Sequence, residues 1–97
     1  MTRTTNDNKC NGWTNHETWA VNLWITNESS SNDYYLEMAE TNKAMDRDPW
    51  DLAQQIKDEI DAYRPELSGM YADLLGAALS SVDWLEIANA FLSDNQR

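Results

Sequence analysis

Between Trp19 and Ile25, the apolar residues Trp19, Ala20, Val21, Leu23, Trp24 and Ile25 fall on nearly every side of a helix. A helix that is apolar all round is a buried one, so residues 15–27 are predicted as a central helix. Thr14 and Glu17 stand at its start with the Thr-x-x-Glu spacing of a capping box. Asn22 lies inside the apolar stretch and needs partners for its amide if buried. Residues 27–32, with three consecutive serines, predict a loop. Ser31 or Asn32 then caps a second helix reaching residue 45, with Tyr35, Met38 and Ala39 on one face and Tyr34 beside them.

Asp48-Pro49 is a helix start, with Asp as N-cap and Pro at the first helical position, where its missing amide costs nothing. Leu52, Ile56, Ile60 and Tyr63 follow at helical spacing, flanked by Trp50 and Ala53, until Pro65 ends the third helix near residue 64. Over residues 66–81, Leu67, Met70, Tyr71, Leu74, Leu75, Ala78 and Leu79, continued by Val82, form an almost unbroken i, i+3, i+4, i+7 series. Asp83 caps a fifth helix with Glu86 three residues on, and Trp84, Ile87, Ala88 and Phe91 make its inner face. Sustained period-two alternation is absent. The pattern predicts an all-α fold: a compact single domain of four or five short helices over 13–97, preceded by a flexible polar tail over 1–12.

The 97 residues suit one domain, and five Trp and four Tyr can bury much area in a chain this short. Trp19, Trp24, Trp50 and Trp84 are assigned to inner faces. Seventeen acidic against seven basic residues give a net charge of −10. That charge opposes direct binding to nucleic acid or to an anionic membrane and favours basic partners. A single cysteine, Cys10, rules out an internal disulfide and suits a reducing cytoplasm. Absence of a signal-like or membrane-spanning run points the same way.

Catalytic signals are missing. His16-Glu17 begins like a metalloprotease helix, but position 20 is Ala20 and not a second histidine. Asp46 and Asp48 lack the alternating oxygens and central Gly of a calcium loop. Cys10 and Ser29-Ser30-Ser31 have no acid–base partner in sight, and no Gly-rich phosphate loop occurs. The expectation is a non-enzymatic protein with no cofactor and no metal.

Two features remain. Asp51, Asp58 and Asp61 share one side of the third helix with Glu59 close by, and the second helix adds Glu37, Glu40 and Asp33. Such an acidic face can enter the basic groove of a nucleic-acid-binding protein. Trp13, Tyr34 and Trp50 are the alternative, as apolar anchors for a partner protein or a second copy.

Three strings carry a resemblance: Gly12-Trp13-Thr14-Asn15-x-Glu17-Thr18-Trp19-x-Val21-x-Leu23-Trp24, the stretch from Leu67-Ser68-Gly69-Met70-Tyr71-Ala72-Asp73-Leu74-Leu75 to Ser80, and Val82-Asp83-Trp84-x-Glu86-Ile87-Ala88. Together they resemble a family of small acidic proteins encoded by bacteriophages, plasmids and other mobile elements. The resemblance implies a setting, the host-cell cytoplasm, in which such proteins are often similar in role to DNA-mimic anti-restriction and anti-CRISPR inhibitors. It brings no catalytic residues. The expected partner is therefore a basic, nucleic-acid-binding host protein. The alternative is a regulatory or assembly module that binds another mobile-element protein, or itself, through an apolar Trp/Tyr patch.

Overall fold

A computed structural model describes residues 11–93 and contains five helices and no β-strand. In chain order they are α1 (His16–Asn27), α2 (Ser29–Ala44), α3 (Pro49–Ala62), α4 (Gly69–Ser80) and α5 (Trp84–Leu92). Most of the predicted flexible tail, residues 1–10 with Cys10, lies outside the described residues. No helix among the described residues is long and apolar enough to cross a membrane.

The core sits between α2, α3 and α5, with α1 laid across α2 and α5. Leu52 and Ile56 of α3, Ile87, Ala88 and Phe91 of α5, and Tyr35 and Ala39 of α2 are buried together with Ile25 of α1. The Phe91 ring lies 6.1 Å from that of Tyr35, centroid to centroid. α3 starts as predicted: the Asp48 carboxylate accepts from the amides of Trp50 (2.8 Å) and Asp51 (3.2 Å). α5 does so in half: Asp83 Oδ1 accepts from the Glu86 amide at 3.1 Å, but the Asp83 amide donates to Thr18, so Glu86 does not close a capping box.

The join between α2 and α3 is equally local. Asp46 takes a left-handed φ of 57°. The Asp46 amide donates to the Lys43 carbonyl, and the Arg47 amide donates to the Asn42 carbonyl. This is a Schellman ending, which satisfies the last carbonyls of α2. The buried Asn42 side chain then donates to the Asp48 carbonyl at 3.3 Å, tying the end of α2 to the cap of α3.

Four expectations are corrected. The cap of α1 is Asn15, whose side chain accepts from the Thr18 amide at 2.9 Å; Thr14 and Glu17 do not form the capping box, because the Thr14 amide donates instead to Glu86. The predicted loop over 27–32 shrinks to Glu28. Ser29 already opens α2, so Ser31 and Asn32 lie inside the helix and cap nothing. Ser31 Oγ donates to the Ile25 carbonyl (2.6 Å), stitching the two helices across that short break. Nor is α1 buried all round: Trp24 is 76% exposed, and Thr18, Asn22 and Ile25 form its inner face. Trp50 and Tyr63 of the α3 region also face water, rotated away from Leu52 and Ile56.

The largest difference concerns the fourth helix. It begins at Gly69, after an extended Ser68 and with a φ of +64° at the glycine, and not at residue 66. None of its residues is buried. Gly76, Leu79 and Ser80 lie beside Ile60 and Arg64 of the α3 region and Trp84 of α5. Leu67, Met70, Tyr71 and Leu74, the heart of the apolar series, point into water.

Candidate interaction surface

The motif residues come together first as a joint. Thr18 is fully buried; its Oγ1 donates to Asn15 Oδ1 (2.6 Å) and accepts from the Asp83 amide (2.9 Å). Asn15 Nδ2 donates to the Ser81 carbonyl at 2.7 Å, and the Thr14 amide donates to Glu86 Oε1 at 3.1 Å. The cap of α1 and the cap of α5, more than sixty residues apart, thus share one polar network. Trp13 and Trp84 are half-buried and packed against the core. The Gly-Trp-Thr-Asn and Val-Asp-Trp strings are accordingly structural. Trp13 is partly buried, with part of its surface left exposed.

Outward, the acids of α3 separate. Asp51 and Asp58 share a shallow hollow with Arg47, Gln54 and Gln55. Asp58 and Glu59 line the next one with Gln55, Ala62 and Tyr63. Asp61 pairs with Arg64 at 3.4 Å and lines a cavity of about 180 Å³ with Lys57 and Trp84. Asp51 and Asp58 differ by about 20° around the helix and Asp61 by about 60° more, so the three share one broad side with Asp61 at its edge. Glu59 is half-buried and accepts from the Tyr34 hydroxyl at 2.8 Å. On α2, Glu37 and Glu40 are exposed, and Glu40 lies 3.8 Å from Lys43.

Tyr34, Tyr35 and Glu59 form a cluster at the α2–α3 seam, the two rings packed edge to face at 5.0 Å. The hydrogen bond to Glu59 raises the Tyr34 hydroxyl above its ordinary value. Burial, with the Glu59 charge adding to it, pushes Tyr35 up to about 12. The folded chain therefore keeps the Tyr35 proton over a range where the unfolded chain has lost it. Stability from this group is complete below pH ~10 and falls as pH rises towards ~12, by at most about 2–3 kcal/mol. Urea unfolding across that range is expected to show the fall in the native chain and most of it removed in Tyr35→Phe; equal slopes in both would reject the assignment.

Trp50 is 65% exposed beside Trp84, Val82, Leu85 and Lys57 in a hollow between α3 and α5. Tyr34 is about half exposed. The apolar alternative thus keeps Trp50 and a hydrogen-bonded Tyr34, while Leu67, Met70, Tyr71 and Leu74 add an exposed apolar row at the start of α4. Among the described residues, no three His, Cys, Asp or Glu side chains converge to hold a metal ion.

These features define a small all-helical domain whose motif residues build its framework, leaving charge and apolar rows on the outside. A family model matches residues 6–89, and the chain belongs to that family of unknown function, DUF7249. The match begins within the segment assigned to the tail, so the family pattern includes part of it. No curated protein and no solved structure matches.

Proposed function

We propose that this chain is a non-enzymatic binding protein of a phage or other mobile element. It engages a basic, nucleic-acid-handling host protein through the outer faces of α2 and α3. The observation that carries the reading is the exposed set Glu37, Glu40, Asp51 and Asp58 on a chain of net charge −10. Asp51 and Asp58 are two turns apart, about 10 Å along the axis at 1.5 Å per residue. One DNA strand carries about three phosphates over that length, at ~3.4 Å each. The face is thus sparser than DNA, and it attracts a basic groove by its summed field more than by copying each phosphate. Inhibition of a restriction or CRISPR component is the specific form this takes.

The test is capture of partners from host lysate at low and high salt, followed by the variant Asp51→Lys/Asp58→Lys. The expected result is a basic nucleic-acid-binding protein that is lost at high salt, since charge attraction is screened. The double reversal should weaken its binding at least tenfold, with the helical circular dichroism unchanged. Asp61 is a poorer target than Asp51, because Arg64 already partners it. Undiminished binding by the double variant would reject the acidic face as the contact.

A further inference from the structure

We infer that the exposed stripe of α4 pairs with the same stripe of a second copy, giving a two-fold dimer that does not depend on the acidic-face reading. Leu67, just ahead of α4, and Met70, Tyr71 and Leu74, on its exposed side, are 47%, 63%, 65% and 59% exposed. Together they leave on the order of 500 Å² of apolar surface in water, towards the upper end of the ~300–600 Å² patch typical of a monomer. Pairing two such stripes buries at most about 1,000 Å² in total, the size at which a specific interface begins.

Charge selects the occupant. From Leu67 to Ser81 the chain carries a single ionisable acid, Asp73, and no cation, in a protein with seventeen acids. Asp73 falls three residues after Met70 and one before Leu74, which puts it on the flank of the stripe and not within it. A basic partner is drawn to α2 and α3 and finds no counter-charge on α4. A second copy, itself at −10, meets repulsion on every acidic face and least on this one. The stripe is also self-complementary. In an antiparallel two-fold pair of α4 helices, Met70 of one copy meets Tyr71 of the other, so both contacts form by the same symmetry operation.

The experiment is the mass of the full chain by sedimentation equilibrium over a concentration series, at low and high salt. The expected mass rises from 11.2 kDa to twice that value. Added salt should strengthen the association, because it screens repulsion between two acidic copies. This is opposite in sign to the salt effect on an acidic-face partner, so the two readings fail separately. Leu74→Glu and Tyr71→Lys should each weaken the dimer at least tenfold and leave the helical spectrum intact, since both side chains are already exposed. A mass that stays at 11.2 kDa throughout, a dimer indifferent to both substitutions, or one weakened by salt would each overturn the inference. So would a monomer that holds some other protein through this stripe.

Discussion

Thr18→Val is expected to lower stability by about 2–3 kcal/mol, although it keeps the size of a side chain inside an apolar helix. The reason lies in what the hydroxyl serves. It gives its proton to Asn15 Oδ1 and accepts the Asp83 amide, with Thr18 itself fully buried. Valine leaves that amide without a partner and costs its full desolvation, and it also weakens the Asn15 cap of α1. In a domain of this size each kcal/mol corresponds to roughly 4–8 °C of melting temperature, so the midpoint should fall by roughly 8–24 °C. Asn15→Ala should cost about 1–2 kcal/mol through the same network, and the double variant should fall short of the sum. Additive costs would show that Asn15 and Thr18 act separately and that the joint between α1 and α5 is not one unit.

That joint marks the boundary of what the sequence makes legible. Asp48-Pro49 and Asp83 with Glu86 are readable because capping is local, decided by side chains within three residues of the amides they satisfy. Thr18 gives no such signal: its partner at Asp83 lies 65 positions away, and only the fold brings the two together. Periodicity has a parallel limit. It sets Met70, Tyr71 and Leu74 on one stripe without saying which way the stripe faces, and it carries the helix back past Leu67, which lies ahead of its first residue. The same ambiguity affects Trp24 and Trp50, where an apolar residue beside a true core position falls outside the contact after a small rotation. The net charge is legible as a count, whereas its layout depends on helix rotation. Asp58, Glu59 and Asp61 are nearly adjacent in sequence, yet one faces solvent with Asp51, one holds Tyr34 and one pairs with Arg64.

Phe91→Ala should therefore be far more damaging than the equally drastic-looking Leu74→Ala. Phe91 is 1% exposed, on the helix that meets α1, α2 and α3, and its ring lies against Tyr35. Truncating a buried phenylalanine removes its transfer free energy and leaves a cavity, about 3–5 kcal/mol together. Domain stabilities are commonly ~5–15 kcal/mol, so the variant should sit close to the unfolding threshold. Leu74 is 59% exposed, and its truncation in the dilute monomer should cost within about 0.5 kcal/mol. Denaturant unfolding of both variants, at a concentration where the native chain is monomeric, separates the two arrangements of the fourth helix. If Leu74→Ala costs as much as Phe91→Ala there, α4 belongs to the core in solution, and the stripe is unavailable to a second copy. If it is silent when dilute but lowers a melting temperature that rises with protein concentration, its contribution comes from association. In that case α4 owes its apolar character to pairing, and the α2–α3–α5 core sustains the fold without it.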